Sequence, residues 1–142
     1  MDGGARAGVA ILLSRRLCRC LREWECVNER ILRVRLNVED VWLTVIQVYA
    51  PTDDSSREVK VEFFARLQET VGSVARGDVL IVMGDLNARV GNVTEVWGEI
   101  LGKHGEVACN DNGGRLLQFC SENNLVVIMV PTQANTPVYM GV

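Results

Sequence analysis

Residues 31–50 constrain the fold more than any other stretch of this chain. Leu32, Val34, Leu36 and Val38 alternate with Arg33, Arg35, Asn37 and Glu39. A period of two suits a strand with one apolar and one polar face. A tight Glu39-Asp40 turn follows, and residues 41–50 are again mostly apolar, so the two segments read as an antiparallel hairpin. The second strand runs through Thr44-Val45-Ile46-Gln47-Val48-Tyr49-Ala50-Pro51-Thr52. Pro51 cannot continue a sheet ladder, so the strand stops near Ala50 and leaves Tyr49 at its end. A tyrosine there has a hydroxyl free to reach a site, although a half-buried sheet tyrosine needs no function.

A helix comes next. Ser55-Ser56-Arg57-Glu58 fits a capping box, with Ser55 capping and Glu58 reaching back. Phe63, Phe64, Leu67, Val71 and Val74 recur at three- and four-residue steps, which makes one apolar stripe for packing on a sheet. The two phenylalanines therefore read as core and not as a platform for stacked bases. Gly77-Asp78 closes this unit, and Val79-Leu80-Ile81-Val82-Met83 reads as a buried strand.

That strand ends in Met83-Gly84-Asp85-Leu86-Asn87-Ala88. In an extended chain residues i and i+2 share a face, about 7 Å apart. Asp85 and Asn87 would then face one site together while Leu86 turns toward packing. Gly84 lets a backbone or a ligand come close. The carboxylate can accept a proton or hold a metal, and the carboxamide can donate to an anionic oxygen without adding charge. That pairing suits phosphate chemistry. Asp and Asn are also ordinary strand-ending turn residues, and it is the second strand end, at Tyr49, that adds weight to the functional reading.

Further on, a long polar loop runs from about Arg89 to Asp111, with Gly91, Gly98, Gly102 and Gly105. A loop of that length is functional or loosely ordered. Asn112-Gly113-Gly114 precedes a short helix, Arg115 to Asn123, and Leu125 to Val130 reads as another buried strand. With the early apolar run over residues 7–13, the order is strands, helix, strand, loop, helix, strand. The expected fold is α/β or α+β, layered, in a single domain over residues 1–142.

A net charge of −3 argues against nonspecific nucleic-acid binding by bulk charge. The charge is uneven, however: residues 1–36 carry eight Arg against four acids. Arg15, Arg16, Arg19, Arg22, Arg33 and Arg35 either line a phosphate-facing groove or lie on a solvated strand face. The five cysteines, Cys18, Cys20, Cys26, Cys109 and Cys120, show no zinc spacing, so reduced thiols are expected. His104 reads as a loop residue in Gly102-Lys103-His104-Gly105. Val9-Ala10-Ile11-Leu12-Leu13 is too short to span a bilayer and lacks the flanks of a signal peptide. The expected location is intracellular, nuclear or cytoplasmic.

The two strand-end segments, in this order with a helix between them, resemble the endonuclease/exonuclease/phosphatase superfamily. The stretch from about Gly8 to Val127 resembles most closely the endonuclease domains of non-LTR retrotransposons and the proteins called craniofacial development protein 2-like. The residues that carry this are Glu23-Trp24, Val45 to Thr52, and Asp78 to Gly91. Gly102 to Gly105, Asn112 to Leu117, Phe119-Cys120 and Asn123-Asn124-Leu125 add to it.

The resemblance implies a four-layer sandwich, with two packed mixed β-sheets and outer helices, of which this chain is a part. It implies phosphodiester or phosphomonoester hydrolysis with Mg²⁺ or Mn²⁺, and DNA as partner; no membrane and no protein partner is implied. Asp85 would orient or deprotonate the attacking water and would be the one candidate metal ligand. Asn87 would hold a phosphate oxygen or the nucleophile, and Tyr49 would hydrogen-bond the scissile phosphate. The family's Asn and metal-binding Glu on earlier strands have no counterpart here, and neither does its terminal Ser-Asp-His. The stretch therefore reads as the middle of a domain, with weak or absent turnover of its own. The alternatives are a catalytically dead, retrotransposon-derived remnant or binding module, and a phosphatase of the same superfamily.

Overall fold

The computed structural model describes residues 8–101 and 107–128. They are mixed α/β, with one four-stranded mixed sheet and helices, and they group into two compact units. The first unit comprises the described part of Met1–Pro51 together with Arg57–Leu86; the second comprises Thr52–Ser56 with the described part of Asn87–Val142.

The first unit contains α1 (Arg15–Cys18), β1 (Leu21–Asn28), β2 (Ile31–Val38), β3 (Val41–Tyr49), α2 (Arg57–Gly72) and β4 (Val79–Asp85). The sheet order is β1-β2-β3-β4. β1–β2 and β2–β3 are antiparallel, and β3–β4 is parallel across the helical crossover. The hairpin expected at Glu39-Asp40 is present: Val38 pairs with Val41, and both turn residues take positive φ, 50° and 68°. Such a two-residue turn has the twist that the flanking strands need. The early apolar run does not form a strand. Residues 8–14 carry no regular structure, and Ser14 instead caps α1, its hydroxyl accepting from the Leu17 N–H at 3.2 Å.

The apolar stripe of α2 is buried as its spacing requires, through Phe63, Phe64, Leu67 and Val71; Val74 lies just past the helix and is half-buried. Thr44, Ile46 and Val48 of β3 and Ile31 of β2 are buried with them, and the Arg33 guanidinium donates to Ser73 Oγ at 3.2 Å just beyond the helix. The helix starts at Arg57, so Ser56, not Ser55, immediately precedes it. Ser55 is held one turn earlier, its N–H donating to the Thr52 carbonyl at 3.0 Å.

β4 is the strand expected at residues 79–83, but it is not buried on both sides. Val79, Ile81 and Met83 are each about half exposed. They share a face with Leu43, Val45 and Gln47 of β3, and β4 closes one end of the sheet order, with a single strand neighbour. On the same face, Val34 and Leu36 in the middle of the sheet are buried.

The second unit contains α3 (Thr94–Leu101) and α4 (Asp111–Asn123). The expected long loop thus holds a helix, kinked at Trp97, and a bridge between Val90 and Cys109. Four glycines suggested a loop, but Val96, Trp97, Ile100 and Leu101 supply apolar side chains at helical spacing, and Leu101 is buried. α4 begins before Asn112-Gly113-Gly114 because Asn110 caps it. Leu116, Leu117, Phe119 and Cys120 form the buried face of α4. Residues 125–128 pair with no strand, and Val126 and Ile128 are exposed. Their backbone goes to the helices instead: Leu125 N–H donates to the Cys120 carbonyl at 2.9 Å and Val127 N–H to the Ile100 carbonyl at 2.8 Å. Asn124, with φ 53°, ends α4 in the left-handed conformation that makes this turn-back possible. His104 and the chain beyond Ile128 lie outside the described residues.

Candidate functional site

Tyr49 and Asp85 end β3 and β4 in register with one another. Parallel partners point to the same side of a sheet, about 4.8 Å apart. The Ala50 N–H donates to the Asp85 carbonyl at 2.8 Å, which locks the two strand tips together just before Pro51 removes the next donor. Asp85 is exposed and Tyr49 half-buried. The backbone positions that carry a carboxylate and a phenol are thus paired at the carboxyl end of the parallel pair.

Gly84 makes this strand end possible. Its φ is +136°, and a Cβ there would run into the Val48 carbonyl oxygen on the neighbouring strand. Only glycine allows the backbone of β4 to come so close to β3 one residue before the carboxylate.

Asn87 departs from the expected geometry. Its φ is +46°, so the chain leaves the extended form after Asp85, and the i/i+2 rule does not carry to it. Within the second unit its carbonyl accepts from Asn110 Nδ2 at 3.0 Å and Asn112 Nδ2 at 3.3 Å. Asn110 Oδ1 in turn accepts from the Arg89 N–H at 2.9 Å and the Gly113 N–H at 2.8 Å. One asparagine therefore caps α4 and fastens the 87–89 segment to it. A Cβ on Gly113 would meet the Arg89 carbonyl, so this contact also needs a glycine. Asn110 was not singled out by sequence reasoning; as the residue that heads a D-N-G-G helix start, it carries an ordinary N-cap signal.

Two of the early arginines are committed elsewhere. Arg33 pairs with Glu25 at 2.9 Å, and Arg35 pairs with Glu23 at 3.1 Å and with Asp78 at 2.8 Å. They stitch β1, β2 and the start of β4 together, which matches the strand-face reading better than a phosphate groove. Arg30, which the sequence did not single out, sits beside Tyr49 instead. Its guanidinium lies 5.4 Å from the Tyr49 ring centroid, and its Nη1 donates to the Tyr49 carbonyl at 3.1 Å. A signal existed: in a two-residue hairpin centred on Glu39-Asp40, position 30 falls opposite position 49.

With that geometry in place, the chain can be set against known proteins. It is similar to craniofacial development protein 2. Against that protein from Bos taurus it is 37% identical over 122 residues, which is 86% of this chain and 20% of the relative. Against the Tragulus javanicus protein it is 35% identical over 122 residues, 86% of this chain and 21% of the relative. The chain thus spans about a fifth of the length of the curated relatives it matches. No family model matches it.

Among the described residues no group of three or more His, Cys, Asp or Glu side chains is arranged to hold a metal ion. No helix among the described residues is long and apolar enough to cross a membrane.

Proposed function

We propose that the chain belongs with the endonuclease/exonuclease/phosphatase superfamily, as part of one four-layer domain, and that its chemistry is endonuclease-type hydrolysis of DNA phosphodiester bonds inside the cell. The observation that carries this reading is the in-register placement of Tyr49 and Asp85 at neighbouring strand tips. In the proposed reaction Asp85 orients a water and takes its proton while the water oxygen bonds to phosphorus. The bond from phosphorus to the leaving sugar oxygen breaks, and that oxygen takes a proton from solvent water and leaves as a hydroxyl. Tyr49 donates to a non-bridging oxygen as charge builds on it. Asn87 is assigned to hold a phosphate oxygen or the nucleophile.

Mg²⁺ or Mn²⁺ dependence belongs to the proposal. Among the described residues no three His, Cys, Asp or Glu side chains are grouped to hold the ion, and turnover by this chain is expected to be slow. The test is nicking of supercoiled plasmid with Mg²⁺, with Mn²⁺ and with chelator. Slow nicking that needs the metal and is lost in Asp85→Ala is expected. An Asp85→Ala variant as active as the parent ends the assignment.

The absence of a three-ligand group among the described residues favours a second reading, a binding module without catalysis. It is expected to hold duplex DNA yet nick nothing in any metal, and measurable metal-dependent turnover by this chain would exclude it.

A further inference from the structure

We propose that residues 9–13 are a docking edge for an extended acidic segment of a partner protein. That segment adds to them as a strand and sets its carboxylates against Arg15, Arg16 and Arg19. The inference goes beyond the nuclease reading and does not depend on it.

Val9-Ala10-Ile11-Leu12-Leu13 is a strand in everything but pairing. Val9, Ile11 and Leu13 are half-buried while Gly8, Ala10 and Leu12 are exposed, the alternation of an extended chain. Leu12 is 92% exposed, so the outward side of the segment is apolar and open. Among the described residues, none from 8 to 13 makes a backbone hydrogen bond. Unpaired N–H and C=O groups beside aliphatic side chains are a ready template for another strand. Main-chain bonds to an added strand supply affinity there, and the neighbouring side chains supply selectivity.

Charge decides which strand. No Asp or Glu occurs from residue 8 to residue 22, and Arg15, Arg16, Arg19 and Arg22 are all exposed. Arg16 meets Glu39 at 3.6 Å with both side chains more than four-fifths exposed, a pair that water weakens. Arg15 and Arg19 face no carboxylate among the described residues. Arg22 Nη1 donates to the Arg19 carbonyl at 2.9 Å and the Leu21 carbonyl at 3.3 Å, which ties it to the end of α1. An unpaired apolar segment that runs straight into four arginines is complementary to a peptide that carries acids. A second copy has no acid between residues 8 and 22 to offer in exchange. A nucleic-acid backbone would meet the arginines but has no peptide groups for residues 9–13.

The arginines also lie away from the Tyr49–Asp85 strand tips. α1 is fastened at the hairpin end of the sheet, where the Asn37 N–H donates to the Cys20 carbonyl at 2.9 Å and Arg16 reaches Glu39. Tyr49 lies at the opposite end of β2, its N–H donating to the Arg30 carbonyl at 2.9 Å. The length of β2 separates the two ends by about 25 Å.

The experiment uses the full 142-residue chain and a short fluorescent peptide of alternating valine and glutamate, with binding read by anisotropy. Saturable binding is expected, and the same peptide with lysine for glutamate should not bind. The double variant Arg15→Gln/Arg19→Gln should melt with the parent, since both side chains are exposed, and bind about tenfold more weakly. Two further peptides carry N-methyl groups on one or the other alternating set of amides. Only one set faces the docking edge, so one of the two should bind about tenfold more weakly than the unmodified peptide. Hydrogen exchange supplies a readout without variants. Amides of residues 9–13 should exchange freely in the free chain and slow severalfold with peptide.

No saturable binding by about 1 mM overturns the inference. So does equal affinity for both N-methylated peptides and the unmodified one, or parent-like affinity in the double variant. Residues 9–13 already protected in the free chain would overturn it by showing that a second copy or another part of this chain holds the edge. A DNA duplex that displaces the peptide and slows the same amides would overturn it by showing a general polyanion surface.

Discussion

Arg35 holds Asp78 by both carboxylate oxygens, Nε to Oδ2 at 2.8 Å and Nη2 to Oδ1 at 3.1 Å. The Thr44 hydroxyl donates to the same Oδ2 at 2.7 Å, and the Asp78 side chain is almost fully enclosed. The Arg35 guanidinium also stacks 4.0 Å from the Trp42 ring centroid. Asp78 stands directly before β4, so this cluster fixes where the parallel strand begins, and through it the register that brings Tyr49 to Asp85.

These contacts predict an acid-sensitive fold. The Arg35 hydrogen bond, then that of Thr44, holds the Asp78 carboxyl below the usual carboxylate range. The folded value is lower than the unfolded one, so the stabilisation is complete above about pH 4 and is lost as pH falls through the folded value. The melting temperature should drop on acidification below about pH 4. Asp78→Asn should lower it at pH 7 and flatten that drop. Circular dichroism melts between pH 7 and 2 test this; an equally steep decline in the Asn variant removes Asp78 as the cause.

Gly84→Ala should be costly. The positive φ and the collision with the Val48 carbonyl act together, and a destabilisation of about 2 kcal/mol or more is expected. Urea titration measures it. A change below about 0.5 kcal/mol would mean that β4 can retreat from β3 without loss.

Asn110→Ala removes an N-cap and two loop tethers at once. The cap alone is worth about 1 kcal/mol, so a loss of about 2 kcal/mol is expected with the tethers included. Asn110→Asp keeps the cap acceptor but cannot donate to the Asn87 carbonyl, and should fall between. Hydrogen exchange should show faster exchange at the Arg89 and Gly113 amides in the Ala variant.

The thiols should divide by burial. All five cysteines are free, with Cys18, Cys26 and Cys109 exposed and Cys120 buried. Burial pushes the Cys120 thiol up to about 11, so at pH 8 it holds almost no reactive thiolate. Iodoacetamide at that pH should label the three exposed cysteines and reach Cys120 only in denaturant. Early labelling of Cys120 would show that α4 opens under native conditions.

What could be read from the residues in order was local. The alternation over residues 32–39, the Glu39-Asp40 turn, the stripe of α2 and the strand ending at Asp85 depend on neighbours a few positions apart, and each formed as its pattern requires. The misreadings share a cause. Glycines at 98, 113 and 114 signal loops by propensity, yet all three lie inside helices that buried side chains and an N-cap hold in place. Residues 125–128 have strand composition, but their backbone bonds go to helix carbonyls.

By itself, the amino-acid order determined the β2–β3 hairpin, the helix that follows it and the next strand, and that one of these strands stops at a tyrosine and another at an aspartate. Only the tertiary structure decided that those two strands are parallel neighbours, that Tyr49 pairs with Asp85 across them, that Arg30 lies against the Tyr49 ring, and that β4 leaves Val79, Ile81 and Met83 about half exposed. Side-chain periodicity records which face of an element is apolar. It does not record which element lies beside it, because that choice is made by contacts between residues tens of positions apart.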